Sequence, residues 1–402
     1  MVPGGIGSVL GGVRVLDLGR FIAGPFCAML LADFGAEVIH VERNGGEEDR
    51  YLGFTSTSGD SFMFLNYARN KKAITLNFMT RREGKEILMK LVEKSDVFIH
   101  NFSPAAAKKI GVTYEEISSI NPRIIYTESS GFGSKGTDAE RLGFDYIAQA
   151  ISGGMALTGF PDHPPVKSEA RYCDLLTGTF EALGVMLALH HRQLTGEGQK
   201  IEASLLKSGV IANIAAITEY EATGKKRRRN GNRALYTGPA DLYKTKDQRW
   251  VFISLITKGL FARWCRLIHR EDLIDRPDLA TEIGRYEKRG ELDKLLKDWV
   301  TERTAEEVER ELRQARLPYG FASDIEEVAR DPQVREEEAI IDLDCRESGK
   351  LKLCGTPLQL SKTPGEVKLP PPRVGEHNRE IYCGLLGFSD VEIEKLAANG
   401  VI

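Results

Sequence analysis

Several features that would mark a secreted, metal-binding or redox protein are absent from this sequence. Its six cysteines are scattered without a CxxC pair: Cys27, Cys173, Cys265, Cys345, Cys354 and Cys383. This spacing predicts reduced thiols rather than a disulfide framework or a zinc site. The seven histidines are also dispersed, and the adjacent pair His190 and His191 would point in different directions on a helix. We therefore expect no metal site.

An excess of charge of one sign is lacking as well. The formal net charge is only −3, from 55 basic and 58 acidic side chains. Such a balance gives no global attraction to nucleic acid or to an anionic membrane. No apolar run is long enough to anchor the chain in a bilayer, and the first residues do not resemble a secretory leader. We expect a cytoplasmic protein without a nucleic-acid or membrane partner.

The first half of the chain alternates strands with helices. Apolar and β-branched runs predict six strands, at 13–18, 37–42, 73–76, 96–100, 123–127 and 199–203. Helical patterns lie between them, which favours a largely parallel sheet covered on both faces. Binding chemistry then belongs in the loops at the carboxyl ends of the strands.

A change in composition at 225–233 marks a domain boundary. This stretch carries six basic residues, which is typical of a solvated linker but could also supply cations to a phosphorylated ligand. A β-hairpin pattern at 241–255 and several helices follow it. Because 402 residues are too many for one ordinary core, we predict two domains. Residues 1–225 form the first segment of a large α/β domain, 226–330 the linker and a small α+β domain, and 331–402 a return segment.

One acid, Asp174, lies at the start of the most apolar stretch. Residues 175–189 are mainly Leu, Ala, Val, Met, Phe and Gly without proline, which predicts a buried helix too short for a membrane span. Asp174 would meet unpaired N–H groups and the positive end of the helix dipole. It could serve there as an N-cap, or as a carboxylate nucleophile beside donors for an oxyanion. Position alone leaves both interpretations open.

A glycine-rich loop at 131–136 spells GxGxxG. No helix pattern follows it directly, and no acid lies about 20 residues further on to bind a ribose, so a dinucleotide site is not expected. A flexible loop that covers an active site is the preferred interpretation.

Several stretches, in order along the chain, resemble the family III CoA-transferases of the CaiB/BaiF type. That family includes formyl-CoA:oxalate and carnitine CoA-transferases, with α-methylacyl-CoA racemase as a more distant relative. The resemblance covers the chain from about residue 10 to its end. The stretches are 15–18, 23–25, LADFGAEVI at 31–39, 41–43, 65–66, NKKAITLN at 70–77, 101–104, 121–126, 143–145, Asp174 with Gly178, GEGQ at 196–199, GNR at 231–233 and GEHN at 375–378.

The resemblance implies a fold and a reaction. The fold would be α/β, with a Rossmann-like large domain built from N- and C-terminal segments, a small α+β domain and an interlocked homodimer. The reaction would move coenzyme A from an acyl-CoA thioester to a free carboxylic acid through covalent intermediates on Asp174. No permanent cofactor or metal is implied, and CoA or acyl-CoA is a substrate.

The resemblance also implies site residues by matching positions. Asp145 would position the substrate or Asp174, although it could instead form a salt bridge with Arg141. Gly131 and Gly133 would position the substrate. The CoA-binding set is Ile22, Ala23, Arg43, Leu76, Met79, Asn101, Phe102, Ser103, Lys109 and Arg141. This chain departs from some members by having Ile22 in place of Gln, Lys109 in place of Arg, and Ile-Thr-Lys-Gly at 256–259 in place of a glycine-rich loop. Ile22 favours an acyl group more apolar or larger than oxalate.

Two alternatives remain open. The racemase branch uses a His in a Gly-His-Asp motif, where this chain has Gly143-Phe144-Asp145, and Phe144 cannot transfer a proton. The other alternative is an inactive subunit that works with a paralogue in a heteromer. Asp174 is present, which argues for an active chain.

Overall fold

The computed structural model describes residues 8–402, which divide into two compact units. The first unit contains the described residues up to Gly154, together with Lys167–Lys225 and Pro332–Ile402. The second contains Met155–Val166 and Lys226–Asp331. The short segment 155–166, which the sequence assigns to the large domain, thus packs with the second unit. The domain boundaries derived from the sequence stay a prediction.

The first unit is built on a six-stranded parallel sheet. In chain order its strands are β1 (Arg14–Asp17), β2 (Glu37–Glu42), β3 (Lys71–Thr75), β4 (Val97–His100), β5 (Ile125–Ser130) and β6 (Gln199–Ser204). Their spatial order is β3-β2-β1-β4-β5-β6, and every neighbouring pair is parallel. This doubly wound order places a switch point between β1 and β4, where such sheets bind ligands. The predicted α/β fold with a Rossmann-like large domain is confirmed.

Helices cover both faces of the sheet. They are α1 (Ala23–Asp33), α2 (Phe62–Tyr67), α3 (Arg82–Glu93), α4 (Pro104–Ile110), α5 (Tyr114–Ile120), α6 (Asp145–Ile151), α8 (Tyr172–Thr195), α9 (Leu205–Ala212) and α10 (Ile214–Thr223), with a 3₁₀ turn at Glu48–Tyr51. The short α7 (Gly154–Leu157) runs into the segment 155–166 of the second unit. Side chains alternate along β1, so that Leu16 packs in a cluster with α3 and α5 while Val15 packs in a cluster with α1 and α8. The sheet is therefore buried on both faces.

Helix α8 is longer than predicted and only partly buried. Within residues 8–402 it is the one helix long and apolar enough to cross a membrane, and 44% of its most apolar window is buried. Its Thr177, Gly178 and Glu181 are buried against the unit, which confirms the predicted burial for that face. Leu183 and Leu187 are 54% and 63% exposed, so the prediction is wrong for the opposite face. The reason is that only one side of the helix lies on the sheet and α1.

The second unit combines a small antiparallel sheet with helices. Its strands are β7 (Ala240–Lys244), β8 (Trp250–Ser254) and β9 (Tyr319–Phe321), and β7 and β8 form the predicted hairpin. Its helices are α11 (Lys258–Leu267), α12 (Glu282–Glu287), α13 (Arg289–Thr301), α14 (Ala305–Gln314) and α15 (Ile325–Arg330), with 3₁₀ turns at Glu271–Leu273 and Pro277–Leu279. Trp264, Leu292 and Leu296 are buried in its separate core.

The return segment completes the first unit. It contains α16 (Pro332–Glu336), the antiparallel pair β10 (Ile340–Asp344) and β11 (Lys350–Cys354), a 3₁₀ turn at Arg346–Ser348, a π-helical turn at Glu380–Leu385, and α17 (Asp390–Ala398). It packs on the outer strand of the large sheet, where the Tyr382 hydroxyl donates to the Thr75 carbonyl at 2.6 Å. Residues from both ends of the chain thus share one core.

Candidate active site

A cavity of about 220 Å³ lies at the switch point of the sheet. The loops after β1 and β4 form one wall, and the ends of β5 and β6 form another. The first turn of α8 adds Asp174. The lining residues are Arg20, Phe21, Ile22, Ala23, Asn101, Phe102, Ser129, Ser130, Gly131, Leu142, Gly143, Phe144, Asp174 and Leu205. The topology therefore brings together six of the residues that the resemblance implies: Ile22, Ala23, Asn101, Phe102, Gly131 and Asp174.

Asp174 is the third residue of α8 and does not cap that helix. The N-cap position is Arg171, which makes no side-chain capping bond. The backbone N–H of Asp174 donates instead to Oδ2 of Asp145 at 2.9 Å. Asp145 thus satisfies one of the free N–H groups of the first turn. The N-cap interpretation of Asp174 is wrong, and its carboxyl group is left to face the cavity.

The surroundings of Asp174 hold its carboxyl group near the point of half-ionisation at neutral pH. Burial raises the pKa of Asp174 to about 7, the charge of Asp145 adds to the rise, and Arg171 opposes it. A carboxylate that is poorly solvated and close to a like charge gains when it is neutralised. Formation of a bond to one of its oxygens achieves the same relief.

Asp145 is fixed by a buried amide. Gln149 Nε2 donates to Asp145 Oδ1 at 2.5 Å, and Gln149 Oε1 accepts from the backbone N–H of Ser168 at 2.9 Å. Asp145 and Gln149 are 2% and 1% exposed. The proposed salt bridge to Arg141 is not formed, because Arg141 pairs with Asp138 at 3.0 Å. The structure instead places Asp145 beside Asp174, as in the other alternative drawn from the sequence.

The start of α1 presents backbone donors to the same cavity. Its N-cap, Ile22, has no side-chain capping bond, and both Ile22 and Ala23 line the cavity. Helix α8 comes very close here, since a Cβ on Gly178 would lie 2.5 Å from the Ala23 carbonyl oxygen. The start of α1 therefore shares the cavity lining with Asp174. Uncapped N–H groups at a helix start suit an oxyanion or an anionic substrate group.

The loop after β1 is held in a strained conformation. Phe21 has φ = 63°, an uncommon value for a bulky residue. Its N–H donates to Asp49 Oδ2 at 2.8 Å, and its ring meets that of Phe144 edge to face at 5.6 Å. Strain that the surroundings enforce is often found at functional sites. Here it turns the Phe21 ring into the cavity wall.

Arg20 is the cation among the lining residues. Its backbone N–H and carbonyl group are both bonded to the side chain of Asn101, at 2.9 and 2.6 Å. Its guanidinium group pairs with Glu47 at 2.9 Å. The cavity therefore offers one positive group, fixed at the junction of the β1 and β4 loops.

The other residues of the implied CoA set lie outside the cavity lining. Leu76 is 1% exposed within the core, and Arg43 donates to the carbonyl of Gly46 in its own turn. Met79, Lys109 and Arg141 are exposed. Ser103 caps α4. Gly133 has φ = 91° and donates its N–H to Ser130 Oγ, while Gly131 contacts Gly143 closely. Their roles in CoA binding and in a closing loop stay predictions.

Several residues of the cavity were not predicted from the sequence. Ser129 and Ser130 are the clearest case, because the predicted strand ended at residue 127 whereas β5 continues to Ser130. A sequence signal was available, since a polar residue at the carboxyl end of a parallel strand is a standard candidate for binding. Arg20, Phe21 and Leu205 reach the cavity because of the order of the strands in the sheet. The local sequence pattern does not determine that order.

Comparison with known proteins establishes the family. The family model described as CoA-transferase family III matches residues 10–378. Succinyl-CoA–D-citramalate CoA-transferase of Chloroflexus aurantiacus is 37% identical over 391 residues, which cover 97% of each chain. The chain belongs to CoA-transferase family III.

Two further proteins support this assignment. The beta subunit of succinyl-CoA–L-malate CoA-transferase from the same organism is 33% identical over 397 residues, 98% of each chain. The crystal structure of a CAIB/BAIF family protein from Brucella suis has a TM-score of 0.83 and 31% identity, covering 94% of this chain and 100% of that one. The predicted family and enzyme class are confirmed: this is a CoA-transferase, whose substrates are an acyl-CoA and an acid.

Proposed function

We propose that this CoA-transferase works through covalent intermediates on Asp174. An oxygen of the Asp174 carboxylate attacks the thioester carbonyl carbon, the C–S bond breaks, and CoA leaves as its thiolate. The thiolate then attacks the aspartyl carbonyl of the mixed anhydride, which releases the first acid and leaves CoA on Asp174. The acceptor carboxylate attacks that thioester, and the returning thiolate cleaves the second anhydride at the acyl carbon. The new acyl-CoA forms and Asp174 is regenerated as a carboxylate.

The observation that carries this proposal is the position of the Asp174 carboxyl group. It faces the switch-point cavity, and no side chain of residues 8–402 donates a hydrogen bond to it. The N–H groups at the start of α1, whose residues Ile22 and Ala23 line the same cavity, would serve as donors for each oxyanion. The anhydride must be kept from water, and the apolar walls formed by Phe21, Ile22 and Phe144 suit that need.

The cavity also bears on the choice of acid. Arg20 offers one charge for a carboxylate, while most of the remaining wall is apolar. We propose an acyl group larger or more apolar than oxalate, with Ile22 against it. Coenzyme A would extend from the cavity along the surface that carries Arg43, Lys109 and Arg141, because cations favour its phosphates.

A homodimer is the proposed assembly. On α8 the side chains of Leu183, Met186 and Leu187 are exposed. An apolar groove of about 380 Å³ is lined by α8, by Leu30 of α1 and by Phe34 just after that helix. A patch of this kind usually marks an interface. A second copy in the interlocked arrangement of the family would cover it. A heteromer with a paralogue is the alternative, because one relative is named as a beta subunit.

We also propose a cytoplasmic location. All six cysteines are free thiols, and four of them are buried. Unpaired cysteines are typical of a reducing compartment.

The proposal is tested by trapping. The purified single chain is incubated with an acyl-CoA and hydroxylamine, and mass spectrometry locates the modified residue. We expect inactivation only when acyl-CoA is present, with the hydroxamate on Asp174. Asp174→Asn should lower transfer by at least about 10³-fold, whereas Asp138→Asn, an exposed control, should keep it. Full activity of Asp174→Asn would refute the proposal.

The same preparation separates the alternatives. Transfer of CoA to a labelled acid by the single chain would exclude the inactive subunit. Exchange of deuterium at the substrate Cα without CoA transfer would instead favour a racemase, although Phe144 offers no proton-transferring group at the position where that branch has His.

A further inference from the structure

A second buried acid lies behind the cavity, and the reaction proposed above does not use it. Glu181 follows Asp174 by seven residues in α8, so both lie on the same side of the helix two turns apart. Glu181 is fully buried. Its Oε1 accepts a hydrogen bond of 3.0 Å from the hydroxyl of Thr127, which is also fully buried, on β5.

Ser129, near the end of β5, also approaches the Glu181 carboxyl group. Thr127 and Ser129 lie on the same face of that strand, and Ser129 lines the cavity. The Ser129 hydroxyl interacts with the Glu181 carboxyl group. Within residues 8–402, however, neither Ser129 Oγ nor Glu181 Oε2 completes a hydrogen bond with standard geometry. Within those residues, each of these two neighbouring side chains thus keeps one buried polar atom without another partner.

The groups around Glu181 favour its neutral form. The titratable groups that face it are Asp17 from β1 and the thiol of Cys27 from α1. Asp17 is already paired, with Lys71 at 2.9 Å and His40 at 3.2 Å, so those cations are engaged elsewhere. Burial raises the pKa of Glu181 to about 8, and the charge of Asp17 raises it further. The hydroxyl groups of Thr127 and Ser129 act in the opposite direction and lower it.

We propose that Glu181 is a positioning residue, which as a neutral acid joins α8 to β5 through Thr127 and Ser129 and so holds Asp174 against the cavity. A neutral carboxyl group accepts at one oxygen and donates at the other, which matches Thr127 on one side and Ser129 on the other. An ionised carboxylate can only accept, so the Ser129 hydrogen bond would have to reverse, and a second buried negative charge would lie near Asp17. The bridge is therefore weakened at alkaline pH.

This inference rests on the proposed role of Asp174, and a pH profile separates the two. The wild type, Glu181→Gln and the exposed control Glu197→Gln are compared for kcat of CoA transfer between pH 5.5 and 9.5. Because the amide of Gln can also accept from Thr127 and donate to Ser129, Glu181→Gln should keep activity within about threefold at pH 7. In the wild type and the control, kcat should fall tenfold per pH unit above about pH 8. In Glu181→Gln this alkaline decline should be absent.

Each other outcome overturns the inference. These are an alkaline decline that persists in Glu181→Gln, a wild type without any decline up to pH 9.5, and a folded Glu181→Gln that loses more than a hundredfold at pH 7. Thermal unfolding of each variant shows whether it is folded. The decline of kcat at low pH reports on the ionisation of Asp174 alone, and its midpoint should lie near pH 7. If Asp174→Asn stays active, the proposed function fails whatever happens on the alkaline side.

Discussion

Asp145 and Asp174 are joined by a hydrogen bond of 2.9 Å, which runs from the backbone N–H of Asp174 to Oδ2 of Asp145. One contact thus brings two acids together at the start of α8. Asp145 stabilises the helix start as a capping acceptor and at the same time disfavours ionisation of Asp174. The structure of the helix and the chemistry of the carboxyl group are coupled through this pair.

We predict that Asp145→Asn moves the acidic side of the pH–rate profile to lower pH. Burial raises the pKa of Asp174 and the charge of Asp145 adds to it, so removal of that charge lowers the pKa. In the proposed reaction Asp174 must be ionised, and its ionised fraction would then be larger below neutrality. The measurement is kcat between pH 5 and 8, with Asp138→Asn as the control. An unchanged acidic midpoint would show that Asp145 does not act on Asp174 by charge.

We predict that Gly178→Ala destabilises the protein and impairs transfer. The added Cβ would lie 2.5 Å from the Ala23 carbonyl oxygen and 3.2 Å from the Cys27 nitrogen, so α1 must move away from α8. Overpacking of this kind costs about 1–3 kcal/mol. The matched control is Gly290→Ala in α13, where nothing lies within 4 Å of the new Cβ. Denaturant unfolding and kcat report the two effects, and equal behaviour of both variants would contradict the prediction.

We predict that Arg20→Met raises KM for the acid about 10- to 100-fold. Arg20 is the cation in the cavity lining, and a charged hydrogen bond is worth about 1.5–3 kcal/mol. The comparison variant is Arg141→Met, whose side chain lies outside the cavity at 53% exposure. That variant should leave KM for the acid unchanged and raise KM for CoA, as the family resemblance implies. The measurement is the steady-state KM of each substrate in both variants. An unaltered KM for the acid in Arg20→Met would refute the assignment.

We predict that Leu187→Glu prevents assembly of the proposed dimer. Leu187 is 63% exposed on the uncovered face of α8, and a buried charge there would be unpaired. Since fold and interface are inseparable in an interlocked dimer, loss of soluble folded protein is expected rather than a stable monomer. Ile283→Glu, an equally exposed apolar position in the second unit, is the control. Light scattering that finds an intact Leu187→Glu dimer would place the interface elsewhere.

Much of the fold could be predicted from the sequence, because strand and helix signals are local. All six strands of the large sheet are found within three residues of their predicted limits, and β2 matches at both ends. The C-terminal boundary of β5 was the weakest point, since Ser129 and Ser130 carry no β-propensity of their own. That error concealed two residues of the site, because the site lies where strands end.

The sequence by itself determined the alternation of strands and helices, the acid at the head of α8, and the motifs of the family. Each of these depends on neighbouring residues or on their order along the chain. Only the tertiary structure decided that Asp145 rather than Asp174 caps α8, that Arg20 and Ser129 reach the same cavity, and that Glu181 has hydroxyl groups rather than a cation beside it. These facts depend on contacts between residues tens of positions apart, and such contacts exist only after the sheet has set the order of its strands.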